Sequence, residues 1–251
     1  MKASVVMATY NGARYLRAQV DSILQGMGVE DELIIADDGS TDQTSDILEQ
    51  YCAADNRVIL LPDKSHKGVV GNFNYAIEHS SGDIIILADQ DDIWFSGKIS
   101  TLKEYFKRDP NLTCILSNLT IIDSENNEIE NSFFSLRKVK SGFFHNFIRN
   151  SYIGNAMAFR CNVKPYILPI PERVPMHDQW IGLINEKYGK VLFLEEPLGA
   201  YRRHSRNVTS MKHGPLTSML AKRWNLACEL CRRSKSLESA KWQWGRKKAG
   251  R

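Results

Sequence analysis

The feature that most restricts the fold is an alternation running through the N-terminal third of the chain. Short aliphatic or β-branched runs, Ala3–Thr9, Glu32–Asp37, Val58–Leu61 and Asp83–Ala88, are separated by longer amphipathic stretches. Nearly every position of each run is apolar, rather than every second one, so the runs read as strands buried on both faces. Between them, Arg14–Gln25 puts Leu16, Val20, Ile23 and Leu24 on one helical face, and Gln43–Tyr51 and Val69–His79 are likewise amphipathic. Strands alternating with such helices predict a parallel, doubly wound α/β sheet with right-handed crossovers.

After Asp92 the pattern loosens. Lys98–Lys107 and His177–Tyr188 read as helices, and Thr113–Ile122, Ile153–Phe159, Lys190–Leu194 and Leu198–Arg202 as strands. Residues 123–140 are polar and irregular and are expected to form a mobile loop. This division predicts a compact unit over 1–210, with a nucleotide-binding half at 1–95 and an acceptor half at 96–210, followed by a tail at 211–251. Charge sets the tail apart. Residues 212–251 hold eleven Lys/Arg against Glu229 and Glu238, a net +9, leaving −5 for the first 211 residues of a chain that totals +4. Leu216, Leu220, Trp224, Ala227 and Cys231 recur at helical spacing, so the tail reads as a basic amphipathic helix. With Trp242 and Trp244 nearby it is expected to touch an anionic lipid surface; the alternative is that its apolar stripe packs on the body. No nucleic-acid recognition motif accompanies the charge, and no nucleic-acid partner is expected. No apolar run approaches the roughly 18 residues of a membrane span, and the five cysteines lack the spacing of a zinc site or disulfide framework. The expected setting is reducing and cytoplasmic, at the inner face of the cell membrane.

Three polar clusters directly follow predicted strands: Thr9-Tyr10-Asn11-Gly12, Asp37-Asp38-Gly39-Ser40 and Asp89-Gln90-Asp91-Asp92. Any one of them fits an ordinary turn. Three at equivalent strand ends point to a site, because doubly wound sheets bind ligands beyond the carboxyl ends of their strands. Neighbouring carboxylates repel by about 4 kcal/mol per pair at an effective dielectric of about 20. The third cluster must therefore face water or share a cation. Hard oxygen donors of this kind suit Mg²⁺ or Mn²⁺ held together with substrate phosphates. Asp and Asn can bond a base and ribose hydroxyls, and Tyr10 can cover a base. Neither a P-loop nor GxGxxG is present.

The segments SVVMATYNGARYL, ELIIADDGSTDQT and GDIIILADQDDIW, in that order, resemble family 2 glycosyltransferases of the GT-A fold. DQDDIW, with Lys98 just beyond, is similar to bacterial rhamnosyltransferase-like members, and MHDQW and YRRHSRNVT resemble later segments of that subgroup. The likeness runs from residue 3 to about residue 209 and fades over the tail. It implies a Rossmann-like, mostly parallel central sheet flanked by helices, with a C-terminal basic helical extension. It implies a dTDP- or UDP-sugar donor held by Thr9, Tyr10, Asn11, Asp37, Asp38 and Lys98. Asp89 and Asp91 match the DxD acids, with Asp91 the direct ligand of Mg²⁺ or Mn²⁺ and Asp92 orienting backbone or sugar. Asp178 falls at the general-base position. Arg202, Arg203 and His204 fall where the family closes over the diphosphate, with His204 on phosphate or metal.

The implied reaction is inverting, metal-dependent transfer of one sugar, rhamnose in this subgroup, to a hydroxyl of a glycan or lipid-linked acceptor in cell-surface polysaccharide synthesis. Many members carry an acid just before the base. His177 departs from that, so a proton-relay role does not carry over to it. Arg223-Trp224 share only the end of the signature of processive relatives, and addition of a single sugar is expected. Two other classes remain: a sugar-phosphate nucleotidyltransferase, which needs a Gly-rich basic loop where this chain has Gly12 and Arg14, and a non-catalytic nucleotide-sugar-binding module, against which Asp178 counts.

Overall fold

The computed structural model describes residues 1–62, 67–204 and 216–249, with side chains at 216 and from 239 onward excluded. The first part of the chain runs β1 (Ala3–Thr9), α1 (Ala13–Gly26), β2 (Glu32–Asp37), α2 (Thr44–Ala54), β3 (Val58–Leu60), α3 (Gly68–His79) and β4 (Ile84–Asp89). The rest runs β5 (Ile93–Trp94), α4 (Lys98–Arg108), β6 (Cys114–Ile122), β7 (Glu128–Glu130), α5 (Phe133–Arg137), α6 (Phe143–Ile148), β8 (Met157–Arg160), α7 (Lys164–Ile167), α8 (His177–Tyr188), β9 (Val191–Arg202) and α9 (Leu216–Ala249).

The nine strands among the described residues join one sheet in the order β3-β2-β1-β4-β8-β6-β9-β5, with β7 beside β6. The first four strands are parallel, and β1 is hydrogen-bonded to both β2 and β4. Beyond β4 the sheet is mixed: β8 is antiparallel to β4 and β6, β9 is parallel to β6, and β5 is antiparallel to β9. The two-residue period of a strand divides the core. Val6, Ile34, Ile85 and Leu87 pack toward α3 and α8, while Val5, Met7, Leu33, Ile35, Ile84 and Ile86 pack toward α1, α2 and α4.

The parallel half follows the sequence pattern closely; the second half adds β5, α6 and α7 and departs from the pattern elsewhere. The stretch 123–140 is not a loop throughout: it contains β7 and α5, and α5 forms because Phe133 and Phe134 are buried in the core. The two strands expected at 190–202 are one strand, β9, whose first register shift against β6, at Ser117/Asn118, absorbs Glu195 and Glu196 before Pro197 comes opposite Asn118; a second, at Asn118/Thr120, absorbs one more residue before Ala200. Residues 154–156 form a 3₁₀ turn before β8 begins at Met157. The tail helix is no free appendage. Leu226 and Leu230 are buried, Arg233 donates to the carbonyls of Tyr166, Leu168 and Pro169, and Lys187 and Tyr188 reach Ser234. Trp242 and Trp244 lie outside the described side chains. No helix among the described residues is long and apolar enough to cross a membrane.

At the amino end of the parallel strands, Glu32 accepts from Lys2 Nζ at 2.6 Å, Ser4 Oγ at 2.5 Å and Ser81 N at 2.8 Å. Asp31 pairs with Lys103 at 2.6 Å and accepts from Ala3 N at 2.8 Å. Gly82 makes this closure possible, since a Cβ there would lie 2.6 Å from Ser4 N.

Candidate active site

The other end of the same strands carries the polar clusters, and the parallel pairing brings them side by side. Thr9 aligns with Asp37 across β1 and β2, and Ala8 with Asp89 across β1 and β4. Thr9 is buried and its Oγ1 donates to Asp37 at 2.7 Å; Asp37 also accepts from Ser40 N at 2.8 Å and Ser40 Oγ at 2.6 Å. These two residues therefore build the loop frame. Asn11 takes a positive φ of 48°, its N–H donates to Ser40 Oγ and its Oδ1 accepts from Thr41 N. Asp38 accepts from the backbone N–H of Lys67 and Gly68 at 2.8 and 3.1 Å, joining the second cluster to the start of α3. The Tyr10 ring is exposed, while its backbone is clasped by Gln90, whose amide bonds both Tyr10 N (2.9 Å) and Tyr10 O (3.0 Å). A Cβ on Gly12 would lie 2.2 Å from Gln90 Oε1, so only glycine leaves room for that clasp.

The acidic corner has an inner and an outer part. Asp92 is buried, accepts from Arg202 N at 2.8 Å and is bonded to Asn155 Nδ2. Burial pushes its carboxyl well above the usual range, aided by Asp91 and Asp89 and opposed by those bonds. Lys98 lies beside it, also buried, donating to Asn155 O at 2.6 Å with Nζ 4.1 Å from the centre of the Trp94 ring. Burial draws this ammonium down to about 7, against the pull of Asp92 and Asp89. Asp89 is half-buried and pushed up to about 7, first by burial, then by Asp91 and Asp178, with Lys98 opposing. Asp91 lies 2.8 Å from His204 Nε2.

Arg202 is buried, and its guanidinium is engaged by the carbonyls of Asp91 (2.8 Å) and Asp123 (3.1 Å) and by Asn126 Oδ1 (2.6 Å). It also covers the Tyr15 ring at 4.6 Å, on which His204 stacks at 5.1 Å. Arg203 is half-buried, with its backbone bonded to Ile122 O. The remainder of the YRRHSRNVT segment lies outside the described residues.

Asp178 stands across from this corner, in the first turn of α8, 7% exposed. Burial pushes its carboxyl up to about 7, opposed by a 2.5 Å bond from Gln179 N and by Asn150 Nδ2 at 3.4 Å. Its neighbour His177 is buried, stacks on Phe73 with ring centres 3.9 Å apart, and is drawn down to about 3 by burial. It is a neutral imidazole. A Cβ on Gly154 would meet His177 Nε2 at 2.9 Å and Asp89 Oδ2 at 4.0 Å, so the bare glycine lets the His177 ring pack against the turn before β8, beside Asp89. Neither His177 nitrogen, nor Asn155 Oδ1, nor the Tyr15 hydroxyl has a hydrogen-bond partner among the described residues. Buried polar atoms of this kind are ones that a ligand or water can satisfy.

Among the described residues no three His, Cys, Asp or Glu side chains converge into a protein-only metal cage. The corner instead offers Asp89, raised by burial and then by Asp91, with Asp91 itself at the rim and His204 already on it. That donor set fits a divalent ion whose shell is completed by phosphate oxygens.

The structure thus brings all the sequence-predicted residues that it describes to one end of the sheet. Sequence reasoning missed Tyr15, Gln90, Asn150, Gly154 and Asn155. Only Gln90 carried a signal, through its place inside the DQDD cluster.

The fold agrees with solved glycosyltransferases. Staphylococcus aureus TarS residues 1–349 in complex with UDP-GlcNAc match at a TM-score of 0.69 and 17% identity, over 94% of this chain and 73% of that one. Mannosyltransferase PcManGT from Pyrobaculum calidifontis, in complex with GDP-Man and Mn²⁺, matches at 0.63 and 15%, over 95% and 74%. Among curated relatives, the UDP-Glc:alpha-D-GlcNAc-diphosphoundecaprenol beta-1,3-glucosyltransferase WfgD of Escherichia coli is 25% identical over 83% of this chain and 80% of its own length. Curated relatives matching more than four fifths of this chain are longer than it, and the chain spans 60% to 80% of them. The family model described as "Glycosyl transferase family 2" matches residues 4–164, which takes in β1 through β8 and the acidic corner. The fold is GT-A, and the chain belongs to glycosyltransferase family 2.

Proposed function

We propose that this chain transfers one sugar from a nucleoside-diphosphate donor to a hydroxyl of a glycan or lipid-linked acceptor in cell-surface polysaccharide synthesis, inverting the anomeric centre. The observation that carries the reading is Asp178, a buried carboxyl raised to about 7 and close enough to the acidic corner to help raise Asp89. Tyr10, Asn11 and Asp38 hold the nucleoside, on a loop frame made by Thr9 and Asp37. Asp91, with Asp89, is the place for Mg²⁺ or Mn²⁺ shared with the diphosphate, and His204 orients Asp91. Bound there, the ion would neutralise charge gathering on the leaving diphosphate. Arg203 supplies a cation to the same oxygens, because the Arg202 guanidinium is engaged in holding the Asp91 and Asp123 carbonyls. Asp92 and Lys98, both buried, fix the corner's shape.

The acceptor hydroxyl loses its proton to Asp178 as its oxygen bonds to the anomeric carbon, and the bond from that carbon to the diphosphate oxygen breaks on the opposite face. No covalent enzyme intermediate is required, so a single base suffices. The donor names carried by TarS and the E. coli relative support a UDP-sugar; the DQDDIW likeness supports dTDP-rhamnose, and both belong in the test. The test is release of nucleoside diphosphate from a panel of UDP- and dTDP-sugars with Mn²⁺ or Mg²⁺, with and without undecaprenyl-diphosphate-linked sugars. One donor turned over, with acceptor raising the rate and product of inverted configuration, supports the proposal. Retained configuration, or turnover unaffected by chelator, overturns the corresponding part.

A further inference from the structure

Two helices without an assigned catalytic role meet close to Asp178. On α6, Phe144 is 82% and Ile148 69% exposed; on α9, Leu220 is 69% and Trp224 72% exposed. Each pair is spaced four residues apart and so shares one face of its helix. Arg223 ties the helices together, its Nε and Nη2 donating to Ile148 O at 3.0 and 2.6 Å. Two residues beyond Ile148, Asn150 reaches Asp178 at 3.4 Å. The flanking sequence has one sign of charge. Residues 138–150 hold Lys138, Lys140 and Arg149 and no acid, and 216–228 hold Lys222 and Arg223 and no acid. Single exposed apolar side chains are ordinary on any surface. Four on two joined helices, with Lys138, Lys140, Arg149, Lys222 and Arg223 flanking them and Glu186 turned to the Gly142 N–H and Asn146 on α6, mark an interaction surface. The face is firmly seated, since Leu226 and Leu230 lie in the core and the Arg233 guanidinium covers the Trp180 ring at 5.3 Å.

We infer that this α6–α9 face docks on an anionic bilayer, with Phe144, Ile148, Leu220 and Trp224 entering the headgroup boundary and the flanking cations meeting lipid phosphates. The chemistry is that of an interfacial amphipathic surface. A second copy of this chain is the weaker occupant, because a two-fold contact through the face would set cations against cations. Docking turns the Asp178 side of the crevice toward the membrane, where the headgroup of a lipid-linked acceptor lies. That last step rests on the proposed function; the surface itself does not.

The test is co-sedimentation of the full chain with vesicles of phosphatidylglycerol and phosphatidylcholine, against phosphatidylcholine alone, at low and high salt. The expected result is binding to the anionic vesicles, weakened by salt. Phe144→Ser with Trp224→Ser lowers it by about tenfold or more. Val29→Ser, a change at an 88% exposed apolar residue between α1 and β2, leaves it unchanged. Thermal melting and donor affinity verify that the double variant is folded. Absence of vesicle binding, equal binding to neutral vesicles, or a folded double variant that binds like the parent overturns the inference. So does a dimer in solution that the double substitution dissociates while vesicle binding is absent. Asp178→Asn must still bind vesicles. A chain that binds anionic vesicles but transfers no sugar breaks the proposed function and leaves this inference standing, and the converse breaks this inference alone.

Discussion

The two ends of the parallel strands use the same residue types and treat them in opposite ways. At the amino end, burial alone would raise Glu32, but bonds from Lys2, Ser4 and Ser81 outweigh it and hold the carboxyl below its ordinary value. At the carboxyl end, burial raises Asp89, Asp92 and Asp178, and the nearby ammonium, Lys98, is itself drawn down. Acids at the first end hold the sheet together. Those at the second are held up chiefly by burial that their hydrogen bonds do not offset, a pattern that functional sites favour.

The sharpest way to break that contrast is Asp178→Asn. Transfer should fall by about 10²- to 10⁴-fold, with donor affinity by calorimetry unchanged; near-normal turnover would remove Asp178 from the mechanism. Asp91→Ala comes next and should weaken Mn²⁺-dependent donor binding by about 100-fold, while binding without metal, followed by the same calorimetry, changes little. The pH profile of kcat should rise through about pH 7 as Asp178 loses its proton. Below that limb it should drop about tenfold per pH unit.

Stability carries the opposite sign. The unfolded chain gives up the Asp178 proton near pH 4 and the folded chain only near 7, so between these values rising pH disfavours the folded state. Urea midpoints measured from pH 4 to 8 should therefore decline less in Asp178→Asn than in the parent. The smallest effect is expected at the other end. Glu32→Gln should cost about 2 kcal/mol of unfolding free energy and leave kcat/KM untouched, and a loss of activity at full stability would erase the distinction between the ends.

How much of this was legible in the sequence follows the same division. β1 and β2 could be read to the residue, because strands buried on both faces are written as unbroken aliphatic runs. The loops after β1, β2 and β4 could be placed because strand direction fixes which end they occupy. What could not be read depends on tertiary packing. β5 has two residues and no periodicity, and α5 is one turn and a half held by Phe133 and Phe134. Asn150 and Asn155 face Asp178 and Asp92 only because α6, α8 and the turn before β8 converge. The tail's charge was plain, yet its partner surface on α6 was hidden, since Phe144 and Ile148 occupy a short helix in a stretch with no clear pattern.

The clasp between Gln90 and the Tyr10 backbone makes two recognition elements mechanically inseparable. On the proposed function, a nucleobase on Tyr10 would rest on the peptide group that Gln90 grips, and Gln90 sits between Asp89 and Asp91. A side chain gained at position 12 would push the Gln90 amide out of the clasp, so Gly12→Ala uncouples the loop after β1 from the acidic corner.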